Sequence, residues 1–153
     1  MELMEDLLEL ARFETGERIP APRPVPLWTL LELLAREARA AHPGLAVDTA
    51  PEPGCLALAD PRLTVLVSLR LVAEACKLAR GKVRLEAGVW ANGAWIRVRD
   101  DGPIHDGNGM RLAVFDRLFR LQGGRVWMES VTEDRGRFML TLPAATAAVE
   151  AAV

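Results

Sequence analysis

A polar, glycine-rich stretch between residues 100 and 109 contains the residues of this sequence best suited to chemistry. It begins with Asp100 and Gly102, ends with Gly107 and Gly109, and precedes an apolar pattern with helical spacing. Glycines let backbone amides approach a bound anion, and the N-terminus of a helix adds positive potential there. The stretch predicts a polar loop between a strand and a helix, and the segment at Asp100, taken alone, is an ordinary turn that ends the strand.

The length and the charge of the chain restrict the classes of protein to which it can belong. The chain has 153 residues, of which 50% are hydrophobic, enough for one compact domain with a continuous core. Its 19 basic and 21 acidic side chains give a formal charge of -2 without a basic block, which argues against nucleic acid as a partner. No apolar run is long enough to span a bilayer and no positive leader is present, so we expect no membrane association in this chain and a cytoplasmic protein.

The cysteines and histidines do not form a recognisable site. Cys55 and Cys76 lie in apolar surroundings without another cysteine or histidine at ligand spacing, so both are expected to be core thiols. His42 precedes a proline at a helix end, and His105 lies in the glycine-rich loop. We interpret both as turn or surface histidines.

The elements that must position the loop follow from periodicity. Asp60 and Pro61 predict a capped helix start, and Ala91 to Ala94 predicts a hairpin turn. Alternating prolines in 20–26 predict a stiff, extended connector that holds the first helix apart from the rest. Apolar spacing predicts helices over 1–15, 27–41, 61–80 and 112–121, and strands over 45–49, 55–59, 82–90, 95–99, 126–128 and 138–142. This order predicts an α+β two-layer sandwich, a mixed sheet with helices on one face.

Several segments, in this order along the chain, resemble the ATP-binding domain of sensor histidine kinases and related ATPases. Residues 7–16 resemble the end of the dimerisation helix that precedes the domain. The matching segments within the domain are 60–63 with 71–77, 100–104, 107–114, and 120–130 continued by 138–143. The resemblance implies the end of a dimerisation-type helix (1–19), a connector (20–26), an ATP-binding-like domain (27–143) and a tail (144–153) that we expect to be frayed.

The resemblance also implies roles for individual residues. Asp100 matches the carboxylate that accepts a hydrogen bond from the adenine amino group, and Glu74 stands where the family has a metal-binding asparagine. Lys77 matches a lysine that can reach the phosphates, or is a solvated cation at the helix end. Gly102, Gly107 and Gly109 match the glycines of the two boxes at which the backbone approaches the nucleotide. ATP and Mg²⁺ are the cofactors that a working site of this kind would use.

The sequence differs from the family pattern at several positions in these segments. Glu74 adds negative charge beside a triphosphate, and for it we favour a surface ion pair with Arg70 over a metal ligand. Ile104 directly follows Pro103, so a loop glycine is missing, and the eight residues from 101 to 108 are too few for the family's mobile lid. Arg111 replaces the next expected glycine, where it either binds an anion or, as we favour, fills the pocket. These departures predict an eroded site that does not depend on a cofactor.

Four functions remain open at this point. We favour a degenerate, kinase-like module of a two-component system that acts through a protein partner, such as a kinase or response regulator, and forms a homodimer through its N-terminal helix. The alternative is the ATP-binding fragment of an active histidine kinase, whose phosphoacceptor must come from elsewhere because neither His42 nor His105 matches that position. A phosphotransferase that uses the fold as a docking platform also needs such a histidine. An unrelated α+β binding domain would make the matches coincidental.

Overall fold

The computed structural model describes residues 2–103, 112–131 and 135–145, which form four helices and seven strands. The elements in chain order are α1 (Glu2–Glu14), β1 (Arg23–Pro26), α2 (Leu27–Ala41), β2 (Ala46–Pro51), β3 (Leu56–Ala59), α3 (Pro61–Leu78), β4 (Lys82–Trp90), β5 (Gly93–Asp100), α4 (Leu112–Arg120), β6 (Arg125–Val131) and β7 (Arg135–Leu142).

The main sheet has five strands in the order β2-β4-β5-β7-β6. The β2–β4 pair is parallel and the other three pairs are antiparallel, so the sheet is mixed. Helix α2 packs on β2 and β4, α3 on β5, and α4 on β6. The predicted α+β sandwich with a mixed sheet is therefore confirmed.

The core lies between this sheet and the helices because alternate strand residues are apolar. Leu85 of β4, Ile96 and Val98 of β5, and Phe138 and Leu140 of β7 are fully buried. The apolar faces of α2 and α3 cover them and remove this surface from water. Cys55 and Cys76 are buried free thiols, as predicted.

The N-terminal segment, residues 2–26, differs in the structure from what the sequence predicts. The prolines do keep residues 23–26 extended, but β1 pairs antiparallel with β3 in a separate two-stranded sheet, where an edge strand tolerates the missing proline amides. Helix α1 is not held apart from the domain. It packs against α3, with Leu10 and Phe13 buried in the core, so the predicted separation is wrong.

The start of the C-terminal tail is paired rather than frayed. The amide of Leu58 donates to the carbonyl oxygen of Pro143 at 2.7 Å, and the amide of Ala145 donates to that of Leu56 at 3.1 Å. Residues 144 and 145 therefore extend the small sheet along β3, because β3 has a free edge opposite β1. The rest of the predicted tail, 146–153, lies outside the described residues.

Within the described parts of the chain, none of the helices combines the length and the apolar character that crossing a membrane requires.

Candidate functional site

Asp100 is the last residue of β5 and lies on the face of the sheet that α3 covers. It pairs in register with Val83 of β4, a core residue, and only 3% of Asp100 is exposed. Its Oδ1 accepts a hydrogen bond from the amide of Gly102 at 2.8 Å. Burial raises the pKa of the Cys76 thiol on α3, and the negative charge of Asp100 raises this pKa further. The structure thus places Asp100 beneath α3, between the helix layer and the end of the sheet.

Asp101 ties the loop to the turn between α3 and β4. Its Oδ1 accepts hydrogen bonds from three consecutive amides, those of Arg80, Gly81 and Lys82, at 2.8, 3.0 and 3.1 Å. Desolvation acts to raise the pKa of Asp101, but the hydrogen bonds together outweigh it and hold the pKa below its usual value of 3.8. A carboxylate of the chain therefore occupies this cradle of amides.

Gly102 is required by packing. A Cβ atom at this position would overlap the carbonyl oxygen of Leu78, the last residue of α3, and would lie 2.9 Å from Asp100 Oδ1. The backbone of the loop can approach the end of α3 only because residue 102 has no side chain. The close approach that requires a glycine here is thus one between the loop and the backbone of α3.

Glu74 and Lys77 lie on α3, the helix that covers Asp100. Glu74 is half-buried and Lys77 is exposed, and neither makes a hydrogen bond or an ion pair with another described residue. The ion pair expected between Arg70 and Glu74 is not formed, although both residues are described, so that prediction is wrong. Helical spacing brings two side chains onto one face, but each long side chain still has several solvated rotamers available.

The remaining predicted site residues, Gly107, Gly109 and Arg111, lie outside the described residues, as do Ile104 and His105. Their proposed contributions to the site stay predictions.

A buried polar network next to the start of α3 was missed by sequence reasoning. Asp60 caps the helix as predicted, because its Oδ1 accepts the amide of Leu63 at 2.9 Å. Its Oδ2 also accepts the amide of Ala21 at 2.8 Å, and its own amide donates to Oε1 of Gln122 at 2.8 Å. Gln122 in turn donates to Thr64 Oγ1 at 3.3 Å. Only the cap left a sequence signal, because the other contacts join distant segments.

Two described residues, Asp100 and Glu74, stand where the resemblance expects the adenine-binding carboxylate and a metal ligand. Asp100 lies at a strand end under a helix, a position suited to recognising a base amino group, but its carboxylate is buried. For a divalent cation, the described residues contain no group of three or more histidine, cysteine, aspartate or glutamate side chains placed to share one ion. In nucleotide sites Mg²⁺ takes one or two carboxylates together with phosphates and waters, and Glu74 is the described carboxylate at the position where the resemblance expects a metal ligand.

Comparison with known proteins gives a consistent structural relationship. No protein-family model matches the chain, and no curated protein sequence matches it. Among solved structures, the histidine kinase AdeS of Acinetobacter baumannii is similar over 95% of this chain and 78% of its own, with a TM-score of 0.76 and 16% identity. The ATP-binding domain of PrrB from Mycobacterium tuberculosis is similar over 82% of this chain and 98% of its own, with a TM-score of 0.70 and 26% identity.

A third similar structure, full-length ShkA in complex with AMPPNP, shares 26% identity over 95% of this chain, with a TM-score of 0.78. This chain spans 36% of the ShkA chain, so the likeness concerns one part of that protein. The order of elements, the mixed sheet under three helices and these similarities agree. The chain therefore has the fold of the ATP-binding domains of histidine kinases.

Proposed function

We propose that this chain is a cytoplasmic signalling module of a two-component system that works by binding protein partners, with a nucleotide site too altered for phosphoryl transfer. The observation that carries the proposal is the position of α1. This helix is docked on the domain by one face and presents leucines on another, which is the arrangement of a helix that binds a second helix.

The docked face of α1 is held by packing and by charge. Phe13, only 1% exposed, and Leu10 enter the core, and Arg62 of α3 pairs with Glu9 at 3.0 Å and with Asp6 at 3.8 Å. Arg117 of α4 reaches Glu14 at 3.4 Å. These contacts fix the orientation of the helix on the domain. A partner bound to α1 would therefore be held at a defined angle to the rest of the module.

The outward face of α1 carries the leucines. Leu7 is 37% exposed and Leu8 is 55% exposed, and adjacent large apolar side chains at a surface are the usual core of a helix-to-helix contact. A second copy of the chain offers the same face by two-fold symmetry. We therefore propose a homodimer through α1, with a kinase or response regulator as the further partner of the assembly.

Oligomeric state tests this contact. We expect light scattering to give the mass of a dimer for the full chain, and that of a monomer for the double variant Leu7→Gln/Leu8→Gln. Leu121→Gln is the matched control, because Leu121 is an exposed leucine in the turn after α4. The Leu121→Gln variant should remain a dimer. A monomeric native chain at high concentration would contradict the proposal, and so would equal loss of the dimer in the control.

The altered nucleotide site is supported by the contacts of the loop after β5. The Asp100 carboxylate is buried, Gly102 packs against Leu78, and the amides around Gly81 already bind Asp101. An adenine nucleotide would have to displace contacts that the chain makes with itself. We therefore propose that nucleotide binding is weak and that the module uses no cofactor.

Calorimetric titration with ATP and Mg²⁺ distinguishes this proposal from an active kinase fragment. We expect millimolar affinity or no binding. Micromolar binding that is lost in Asp100→Ala and retained in Asp48→Ala, an exposed aspartate of β2, would overturn the proposal and assign Asp100 to the adenine. In that outcome the chain would be the catalytic part of a kinase whose phosphoacceptor histidine lies on another segment or chain.

A further inference from the structure

The outer strands of the two sheets are closed to pairing with another molecule. The edge of a sheet carries unpaired backbone amides and carbonyls, which can bind a strand of a second chain. In the described part of the chain, β2 and β6 are the outer strands of the main sheet, and β1 is an outer strand of the small sheet. At each of these edges, backbone groups that a further strand would need are missing or already bound.

Strand β1 lacks the amides that a further strand would need. The amide of Leu27, the residue after β1, donates to the carbonyl oxygen of Cys55 at 3.0 Å. Because backbone groups in an antiparallel pair point alternately toward and away from the neighbouring strand, those of Pro24 and Pro26 point away from β3. Proline has no amide hydrogen, so the outer edge of β1 offers no donor.

Strand β2 is closed by a side chain of the helix before it. The guanidinium of Arg39 on α2 donates to the carbonyl oxygen of Val47 through Nε at 3.2 Å and through Nη2 at 2.7 Å. Val47 points its backbone groups outward, because the amide of the residue before it, Ala46, donates to the carbonyl oxygen of Gly81 on the β4 side. Pro51, at another outward position of β2, has no amide hydrogen.

Strand β6 is closed in the same way, by a side chain of opposite charge. Asp116 lies on α4, the helix before β6, and its Oδ1 accepts hydrogen bonds from the amide of Val126 and from Nε of Arg125, both at 2.9 Å. Its Oδ2 accepts a hydrogen bond from Nε of Arg120 at 3.0 Å. The amide of Val126 therefore points away from β7, and by alternation so does that of Met128. The carboxylate occupies the place where a neighbouring strand would bind.

The sequence of β6 is complementary to itself in an antiparallel pair. If Trp127 lies opposite Trp127 of a second copy, the outward backbone groups of Val126 face those of Met128 of that copy. The same register places Arg125 opposite Glu129 of the second copy, and it brings the two Trp127 rings together. Opposite charges and paired aromatic rings both stabilise neighbouring strands. Two β6 strands therefore match in backbone groups and in side chains.

The register that avoids Val126 is opposed by charge. An antiparallel pair in which Met128 faces Ser130 of the second copy would leave the Asp116 contact intact. However, this register places Glu129 opposite Glu129 of the second copy. Like charges directly opposite each other destabilise a pair of strands. The complementary register is thus one that Asp116 blocks.

We propose that Asp116 keeps β6 closed to a second copy of the chain, and that loss of its bond to Val126 lets two β6 strands pair with Trp127 opposite Trp127. The carboxylate satisfies the outward amide, and the ion pair at 2.9 Å holds the Arg125 guanidinium against α4. Removal of the carboxylate frees both groups for the second copy. Pairing at β6 uses none of the leucines of α1, so it is independent of the dimer proposed above.

Light scattering of Asp116 variants in the Leu7→Gln/Leu8→Gln background tests the proposal, because that background removes the contact proposed for α1. We expect Asp116→Ala to double the mass relative to the background protein, as a two-fold symmetric pair requires. Asp116→Asn is the matched control. It loses the same charge but keeps an oxygen that accepts the Val126 amide, so its mass should equal that of the background.

Folding of the variants is checked by cooperative unfolding in urea. If Asp116→Ala does not fold, Asp116→Leu replaces it, because leucine has nearly the shape of aspartate, favours a helix more and accepts no hydrogen bond. The expected result, a doubled mass, is the same.

Glu129→Lys, added to Asp116→Ala, tests the register. It places a cation opposite Arg125 of the second copy, so we expect the mass to return to that of the background. Glu37→Lys makes the same change in charge at an exposed site on α2 and should leave the pair intact. An unchanged mass for Asp116→Ala, an equal increase for Asp116→Asn, aggregates of mixed size, or a pair that survives Glu129→Lys would each overturn the proposal.

Discussion

The side-chain oxygen of Gln122 accepts a hydrogen bond from the backbone amide of Asp60 at 2.8 Å, across 62 residues of sequence. Gln122 lies in the turn after α4, and Asp60 caps α3, so this bond joins two helices of the layer above the sheet. The Asp60 carboxylate extends the connection to the amide of Ala21 in the segment that follows α1. One buried polar group therefore links the N-terminal segment, the longest helix and the end of α4.

Gln122→Met tests this link. The substitution keeps the volume of the side chain but removes both hydrogen-bonding groups, which leaves the buried amide of Asp60 without its acceptor. We expect the free energy of unfolding to fall by about 1–3 kcal/mol. Urea denaturation followed by tryptophan fluorescence measures this change. Leu121→Met, at the neighbouring exposed position, should change stability by less than about 0.5 kcal/mol. Equal effects of the two substitutions would show that the link does not stabilise the fold.

Phe13→Ala tests whether α1 is part of the domain. Phe13 is fully buried between α1 and the rest of the core, and truncating such a ring leaves a cavity. We expect a loss of about 3 kcal/mol in the free energy of unfolding, measured by urea denaturation in dilute solution. Leu8→Ala removes a side chain from the exposed face of the same helix and should cost less than about 0.5 kcal/mol. A neutral Phe13→Ala would restore the separate terminal helix that the prolines predict.

Asp101→Asn tests the bond between the loop and the turn after α3. The folded protein holds the pKa of this carboxyl below 3.8, so its ionised form stabilises the fold at neutral pH. That stabilisation is present above the ordinary pKa and is lost as the pH falls through the lower folded value. Asparagine can still accept the three amides but carries no charge, so we expect a loss of about 1 kcal/mol at pH 7.

The pH dependence gives the decisive readout for Asp101. The difference in stability between the native chain and Asp101→Asn should begin to shrink below about pH 4, where the carboxyl of the unfolded chain takes up a proton, and should vanish once the pH is below the lower pKa of the folded protein. Denaturation midpoints of the two proteins, measured from pH 7 to pH 2, show how this difference in stability changes with pH. Asp48→Asn, the same change at an exposed site, should show a much smaller difference at neutral pH. A difference that persists unchanged in acid would exclude the charge as its cause.

The framework of the fold is readable in the sequence because each element has a local signal. Strand β4 was predicted with its observed bounds, and Asp60 with Pro61 marks the start of α3, since a cap and a proline act within one helical turn. The pairing of β1 with β3 was not predictable in the same way. Its signal was only a run of prolines, which fixes an extended backbone but does not identify a partner strand.

The candidate site was less predictable because its contacts are tertiary. Sequence spacing placed Arg70 and Glu74 on one helical face, but it does not decide between a bond and two solvated side chains. It also identified Gly102 as a residue suited to close approach without showing what approaches. The structure supplies that partner, the carbonyl of Leu78, which is 24 positions earlier in the chain, on another element.

Gly102→Ala tests whether that glycine is needed for packing. A Cβ at residue 102 would overlap the carbonyl oxygen of Leu78, which belongs to the backbone and cannot rotate away. The loop or the end of α3 would have to shift, and we expect a loss of about 1–3 kcal/mol in the free energy of unfolding. Gly44→Ala is the matched control, because a Cβ there meets nothing within 4 Å. This control should be neutral or slightly stabilising, since alanine lowers the entropy of the unfolded chain. Full stability of Gly102→Ala would mean that the close approach to Leu78 is not required for folding, and it would leave a ligand as the reason for glycine at this position.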